Sequence, residues 1–178
     1  MKKKILKYLI EVIILVVVVL FLFIHVISTI RVSGDSMYPS MHNDDILVIN
    51  KMNLQQDYIE RFDIVYINSE ALGKRIVKRV IALPGEVVEY IDDKLYIDGQ
   101  YYEEPFLNQD YIKEQIEKYN YVSFTGDFKY VVEDGLFVIG DNRINSTDSR
   151  VFGEVSFDEV FGKRGLTLFP LSRFDWSN

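Results

Sequence analysis

The chain has 178 residues, a formal net charge of −7, two histidines and no cysteine. Because cysteine is absent, disulfides, zinc–thiolate sites and cysteine nucleophiles are excluded, and the acidic charge argues against nucleic acid as the main partner. The length suits one membrane anchor and one folded domain of about 145 residues, which is enough to bury a core unaided.

The N-terminal segment is basic at first and then strongly apolar. Four lysines in the first seven residues precede 9–30, which consists mostly of Ile, Val, Leu and Phe. A helix of that length spans roughly 33 Å, enough to cross a bilayer core of about 30 Å. A cleavable signal peptide is the alternative, but its apolar region would be shorter and a small-residue cleavage site would follow it.

The positive-inside rule keeps the lysine cluster in the cytoplasm. The sequence therefore predicts a single-pass protein of the cell membrane, with a cytoplasmic N-terminus at 1–8, an anchor at 9–30 and a domain on the outer face at 31–178.

A turn that carries a serine follows the apolar segment directly. Ser36 lies between Gly34, which permits backbone conformations closed to other residues, and Pro39, which forbids continuation of a helix. These neighbours would hold Ser36 on a stiff, exposed turn, where a nucleophile could meet a polypeptide that leaves the membrane. A solvated loop is the alternative interpretation.

After this turn the pattern predicts mainly β-structure. Short β-branched or alternating runs between turn residues predict strands at 46–49, 63–67, 75–83, 87–91, 94–97, 100–102, 130–132, 136–139 and 166–169. The dipeptides Asp92-Asp93 and Asp98-Gly99 favour tight hairpins. Helical spacing over 108–120 predicts a short surface helix, either a lid or an insertion packed on the sheet. A capping-box pattern at 156–159 predicts one helical turn before Gly162.

We therefore predict one β-rich domain. Its antiparallel sheets would close into a partly coiled barrel or pair face to face, behind one N-terminal transmembrane helix.

A serine nucleophile needs a base that removes its proton. His25 lies inside the apolar run and His42 lies close to Ser36 in the chain, so neither is a convincing member of a Ser–His–Asp triad. Lysine is the remaining candidate, provided that burial lowers its pKa from about 10.4. The candidates are Lys51, Lys74 and Lys78.

Lys78 fits this requirement better than the other two lysines. Its neighbours on the same strand face, Ile76 and Val80, are apolar and offer no countercharge. Lys74 follows a glycine at a strand end and Lys51 lies in a polar loop, where both are expected to be exposed. A solvated lysine on a strand is the alternative for Lys78.

The segment 140–150 concentrates charged residues. Asp141, Arg143, Asp148 and Arg150 form either a charged surface turn or a buried network of paired carboxylates and guanidinium groups that supports a site. Paired carboxylates can also bind a metal, but no histidine lies nearby. We therefore expect no metal and no cofactor.

Four motifs, in this order and spacing, resemble those of type I signal peptidases, the membrane-bound serine proteases that remove signal peptides from exported proteins. They are Ser36-Met37-Tyr38-Pro39, then Arg61-Phe62-Asp63-Ile64-Val65, then Lys78-Arg79 with Leu83-Pro84-Gly85, and finally Gly140-Asp141-Asn142-Arg143 followed by Ser146, Asp148 and Arg150. The resemblance covers nearly the whole chain after residue 8, and it is strongest to the short, single-anchor Gram-positive type. It implies a mainly β catalytic core of the kind found also in self-cleaving repressors.

The resemblance implies a Ser/Lys dyad in which Ser36 is the nucleophile and Lys78 the general base, with an acyl-enzyme intermediate. It implies that Ser146 orients Lys78 and that further side chains support the site: Asp148, Arg150, Asp141 and Arg79. The backbone N–H of Ser36 would be one oxyanion donor. Many relatives carry a serine donor where this chain has Gly34, so that donor is missing here.

The resemblance also implies a preference for small residues one and three positions before the cut, as in Ala-x-Ala. The predicted pocket is walled by Ile30, Val32, Met37, Ile76 and Val77. The expected partners are secretory pre-proteins and the lipid bilayer, without nucleic acid, and the protein is expected to be monomeric. A catalytically silent, membrane-anchored adaptor is the alternative. A self-cleaving repressor would carry a DNA-binding domain in place of the anchor.

Overall fold

The structure is a computed structural model that describes residues 2–52, 54, 58–174 and 176–177. Helix α1 is Lys2–His25, and its part from Val12 to Ile24 is apolar around the whole circumference, which is typical of a helix surrounded by lipid. Its segment Lys4–His25 is long and apolar enough to cross a membrane, and none of it is buried against the rest of the chain. The helix ends at His25, so the last residues of the predicted anchor 9–30 belong to a strand instead.

The larger sheet has seven strands in the order β1-β2-β10-β3-β4-β9, with β11 paired to β10. Their bounds are Ile27–Arg31 for β1, Ile46–Asn50 for β2, Ile64–Ser69 for β3, Lys74–Ala82 for β4, Phe137–Ile139 for β9, Val160–Phe169 for β10 and Trp176–Ser177 for β11. Every pair is antiparallel. The mainly β prediction is confirmed.

The smaller sheet is a four-stranded meander in the order β7-β6-β5-β8. Its strands are Val87–Ile91 for β5, Lys94–Ile97 for β6, Gln100–Tyr102 for β7 and Phe128–Val131 for β8. The predicted tight connections are confirmed, since Asp92, Asp93 and Asp98 take positive φ angles of 49°, 59° and 51°. Both sheets are open, so the described strands form no closed barrel.

Helix α2, Gln109–Tyr119, confirms the predicted surface helix. The side chain of Asn108 caps its first turn by accepting a hydrogen bond from the N–H of Tyr111, and none of its residues is buried. The ring of Tyr111 packs edge-on against Tyr38, with their centroids 5.0 Å apart. The helix therefore lies beside the turn that carries Ser36.

The remaining helical pieces are α3, Ser149–Phe152, and the 3₁₀ turns Arg143–Asn145, Phe157–Glu159 and Leu171–Arg173. The predicted capping box is present, because Ser156 and Glu159 satisfy each other's backbone N–H groups. Strand β10 begins at Val160, earlier than the predicted 166. The prediction missed its first residues because shifts in register interrupt the regular alternation of its side chains.

Strand β4 lies between β3 and β9 and is the centre of the site. From Lys78 to Ala82 every residue of β4 is buried, because apolar clusters cover both faces of the strand. A polar side chain on this part of β4 is therefore removed from water.

Candidate active site

The turn that carries Ser36 is fixed to the core from below. Met37 and Met41 are each 1% exposed and pack in one apolar cluster with Leu47 of β2. Gly34 takes a φ of 90°, which favours glycine, and its N–H donates to the Oδ1 of Asn43 over 2.8 Å. The turn is thus held at both ends, with Ser36 half-buried at its surface.

Lys78 approaches Ser36 from β4. Its backbone pairs with Val65 of β3, and the whole residue is only 3% exposed. The Nζ of Lys78 lies 2.7 Å from the Oγ of Ser36, within hydrogen-bond distance. The structure therefore brings the predicted nucleophile and the predicted base into direct contact.

The environment of Lys78 favours the neutral amine. Burial lowers the pKa of Lys78 from 10.5 to about 8, the carboxylate of Asp148 opposes that change, and the cations Lys74 and Arg150 add to it. Desolvation disfavours the charged form of a lysine. About one molecule in ten then carries a neutral Lys78 at pH 7, far more than for a lysine in water.

Arg79, the next residue on β4, points away from Lys78 and forms a buried ion pair. Its Nε and second terminal nitrogen donate to the two carboxylate oxygens of Asp141 over 2.8 and 2.7 Å, and the side chains are 2% and 1% exposed. The guanidinium also donates to the carbonyl of Phe62 and lies over the ring of Phe106. This bidentate pair fixes Asp141 to β4.

Asp148 and Arg150 form a second pair behind the dyad. Arg150 donates to both carboxylate oxygens of Asp148 over 2.8 and 2.9 Å, and the Asp148 side chain is fully buried. Asp148 also accepts from the N–H of Gly140, while Arg150 donates to the carbonyl of Arg143. The segment 140–150 is therefore a buried network rather than a charged surface turn.

Ser146 is half-buried close to the backbone of Ser36, and its hydroxyl oxygen is removed from solvent. Among the described residues its Oγ has no hydrogen-bond partner, so the structure shows no bond to Lys78. A Cβ added to Gly140 would lie 2.3 Å from the Oγ of Ser146 and 2.4 Å from the carbonyl of Ser36. Glycine is required at 140 for this close approach, and the orienting role of Ser146 stays a prediction.

Asn142 is a site residue that the sequence did not identify. Its N–H donates to the carbonyl of Ser36 over 3.0 Å, and its side-chain amide donates to the carbonyl of Asp35 over 3.1 Å. It joins the 140–150 segment to the turn of the nucleophile. The only indication in the sequence was the position of Asn142 next to Asp141 in the motif at 140–143.

A buried cluster around Arg143 was also missed. Arg143 donates to the hydroxyl of Tyr90 over 2.9 Å and to Thr125 over 3.1 Å, and it forms an ion pair with Glu104. Burial raises the pKa of the Tyr90 phenol. The cluster ties the smaller sheet to the 140–150 segment, and the sequence gives no sign of the partner Glu104.

One cavity lies at the dyad and a second cavity adjoins it. A cavity of about 380 Å³, the dyad cavity, is lined by Ser36 and Lys78. A cavity of about 250 Å³, the apolar pocket, is lined by the predicted residues Ile30, Val32, Ile76 and Val77 together with Tyr66 and Phe161. Met37, the fifth residue predicted for the pocket, does not line either cavity and packs in the apolar cluster under the turn. No group of three or more histidine or acidic residues in the described part of the chain could hold a metal ion.

Comparisons with known proteins identify the family. The family described as "Signal peptidase, peptidase S26" matches residues 5–169. The chain is 43% identical over 144 residues to signal peptidase I T of Bacillus subtilis, covering 79% of this chain and 73% of that protein. It is 36% identical over 167 residues to signal peptidase I of Bacillus caldolyticus, covering 89% and 88%.

A crystal structure of a signal peptidase I from Enterococcus faecalis is 41% identical, with a TM-score of 0.49, and the match covers 58% of this chain and 94% of that one. The family match spans most of the chain and includes both the Ser36 turn and β4. The chain therefore belongs to the signal peptidases of peptidase family S26, and it is a peptidase of the signal peptidase I type.

Proposed function

We propose that Ser36 and Lys78 form the catalytic dyad of a membrane-anchored serine endopeptidase that removes N-terminal signal peptides from exported pre-proteins. The observation that carries this proposal is the 2.7 Å contact between the Lys78 Nζ and the Ser36 Oγ. Because Lys78 is almost completely buried, it can act as a base near neutral pH.

In the proposed reaction, neutral Lys78 accepts the hydroxyl proton of Ser36 while the Ser36 Oγ attacks the scissile carbonyl carbon. The protonated amine then gives that proton to the leaving nitrogen, and the carbon–nitrogen bond breaks. The signal peptide remains as an ester on Ser36. Lys78 takes a proton from a water molecule while the water oxygen attacks this ester. The bond between the acyl carbon and the Ser36 Oγ then breaks, Lys78 returns the proton to that oxygen, and the signal peptide leaves with a free carboxylate.

The oxyanion that forms in each step needs hydrogen-bond donors. The backbone N–H of Ser36 is the proposed donor. Gly34 brings no side-chain donor, and its own N–H is already bonded to Asn43. The two buried ion pairs, Arg79–Asp141 and Asp148–Arg150, are proposed to hold the surrounding segments in place, with Ser146 close to the dyad.

The proposed specificity for small residues follows from the walls of the apolar pocket. Residues 74–78 of β4 pair only with β3 among the described strands, since pairing with β9 begins at Arg79. An extended substrate can add to this free edge by main-chain hydrogen bonds. Its side chains then meet Ile76 and Val77 and the opposite wall at Ile30 and Val32, which suits an Ala-x-Ala sequence.

The proposed topology is a single pass through the cell membrane, with 1–8 in the cytoplasm and the domain from 31 onward on the outer face. The lysine-rich start of α1 supports this orientation. We propose secretory pre-proteins and the bilayer as partners, a monomeric state and no role for nucleic acid.

Cleavage of a model pre-protein tests the proposal. In vesicles, the full chain should cleave a precursor with Ala-x-Ala before the cut, while Ser36→Ala should show no turnover because the attacking oxygen is gone. Gel separation of precursor and mature product measures both.

The control is Ser172→Ala, which removes an exposed hydroxyl from the last 3₁₀ turn and should cleave normally. A precursor with tryptophan directly before the cut should remain intact. Efficient processing of that precursor would contradict the small pocket, and a wild-type chain that processes nothing would indicate the adaptor instead.

The pH dependence of kcat/KM tests the state of the base. Activity should rise with pH and level off above an apparent pKa of about 8, because only the neutral form of Lys78 accepts a proton. The positive charge of Lys74 helps to lower the pKa of Lys78, so Lys74→Gln should move the midpoint to higher pH. Lys94→Gln, at an exposed strand position, should leave it unchanged. A flat profile between about pH 6 and 9 would refute this assignment.

A further inference from the structure

A third cavity adjoins the dyad cavity on the side of α2. It measures about 700 Å³ and lies between α2 and the turn that carries Ser36. Tyr111, Glu114 and Tyr119 line it from α2, while Tyr38 and Asn142 line it from the catalytic side. We call it the α2 groove. Its volume is within the range of about 300–1,000 Å³ that is usual for ligand sites.

The α2 groove, the dyad cavity and the apolar pocket form one continuous cleft. Asp35 and Asn145 line both the α2 groove and the dyad cavity. Ile76 and Val77 line both the dyad cavity and the apolar pocket. Ser36 therefore lies in the middle part of a cleft that extends in two directions.

The fold gives this cleft a direction. The apolar pocket is lined by 29–33, the end of β1 and the residues after it, and β1 follows the apolar helix α1 almost directly. The apolar part of a signal peptide precedes the cut and lies in the membrane. Substrate residues before the cut therefore enter from the β1 side, and residues after the cut leave across Ser36 towards the α2 groove.

The walls of the α2 groove suit a peptide chain. Tyr119 and Tyr121 are 53% and 48% exposed, and their ring centroids lie 6.0 Å apart. Tyrosine offers a large and rigid contact surface at low entropic cost, together with a hydroxyl for hydrogen bonding. The exposed amide of Asn145 adds a group that can bond to a peptide main chain.

We propose that the α2 groove binds the first residues of the mature chain, those directly after the cut, as an extended peptide. This inference rests on the proposed function and adds a second binding region to it. The rings and the Asn145 amide contact the main chain and any side chain with a flat face, so binding depends on the length of the mature segment more than on its sequence.

Two substrates with the same signal peptide test the proposal. One ends about two residues after the cut and the other continues for about ten residues, which span up to roughly 35 Å when extended. The wild-type chain should cleave the longer one with a higher kcat/KM, mainly through a lower KM. In the double variant Tyr119→Ala/Tyr121→Ala this advantage should fall by about three- to tenfold.

The matched control is Tyr96→Ala/Tyr101→Ala, which removes another pair of neighbouring rings, 5.9 Å apart, from the smaller sheet. It should keep the wild-type ratio between the two substrates. The groove proposal would be wrong if the Tyr119→Ala/Tyr121→Ala variant kept the wild-type ratio of kcat/KM between the longer and the shorter substrate. It would also be wrong if the wild type cleaved the two substrates equally well.

A binding measurement separates the groove from the reaction. The Ser36→Ala full chain should bind the longer substrate several-fold more tightly than the same chain with Tyr119→Ala/Tyr121→Ala, as followed by fluorescence anisotropy. Equal affinities would overturn the groove. Absence of cleavage by the wild type, with this difference in affinity preserved, would overturn the proposed reaction and support the groove.

Discussion

Replacing Lys78 with methionine is expected to abolish cleavage of pre-proteins and to raise the free energy of unfolding at neutral pH. Loss of a general base costs about 10²–10⁴-fold in rate, and more when base and nucleophile act as a unit. Lys78 is the lysine that lies within hydrogen-bond distance of the Ser36 Oγ. Initial rates on a model pre-protein measure the first effect.

The gain in stability follows from the depressed pKa of Lys78. The folded chain holds this amine at a pKa of about 8 instead of 10.5, so the unfolded chain binds more protons between these values. The destabilisation is complete below about pH 8 and disappears as the pH rises towards 10.5. Its size is about 3 kcal/mol, and methionine, which is similar in volume and uncharged, should recover about 1–3 kcal/mol of it at pH 7.

Urea unfolding of the full chain in micelles measures this change, with Lys94→Met as the control at an exposed position. Cleavage at the wild-type rate by Lys78→Met would assign the base to another residue, with Lys74 and Lys51 as the next candidates. A variant that is markedly less stable at pH 7 and equally affected at pH 10 would show that burial of the amine carries no cost.

Replacing Asp141 with alanine is expected to destabilise the fold by about 3–5 kcal/mol, because it leaves the guanidinium of Arg79 buried without a countercharge. Activity should fall as well, since the adjacent Asn142 holds the carbonyl of Ser36. Equilibrium unfolding in urea and the cleavage assay report the two effects.

A double substitution distinguishes loss of the whole ion pair from loss of one of its two charges. Arg79→Met/Asp141→Leu replaces both partners with apolar groups and should be more stable than Asp141→Ala alone. Glu60→Ala removes an exposed ion pair with Arg164 and should change stability by no more than about 0.5 kcal/mol. If Asp141→Ala behaved like Glu60→Ala, the buried pair would have no structural role.

Local chemistry was sufficient to predict most of the fold. The hairpins at Asp92-Asp93 and Asp98-Gly99 and the capped helix α2 depend on neighbouring residues, which a sequence displays directly. Strand β10 was predicted too short because its bulges at Gly162 and Gly165 break the alternation of side chains. The end of α1 was placed too late because the apolar residues of β1 continue those of the helix.

The site was predictable only in part, for a related reason. Ser36 and Lys78 could be proposed from motifs, but their contact depends on how β4 packs against a distant turn. Met37 was predicted to line the pocket, and it packs in the apolar cluster under the turn, a contact that the sequence does not display. Glu104 gave no signal, because its partner Arg143 comes from another part of the chain and meets it only in the folded protein.

A single residue, Val26, connects α1 to β1 of the larger sheet. Its N–H bonds to Leu22 within the helix, and its carbonyl accepts from the N–H of Lys51, whose ammonium group donates to the carbonyl of Ile24. These bonds tie the end of α1 to the residue that follows β2. With α1 across the bilayer as proposed above, this short connection keeps the catalytic domain near the membrane surface, and we expect precursors with a long spacer between the apolar segment and the cut site to be cleaved poorly.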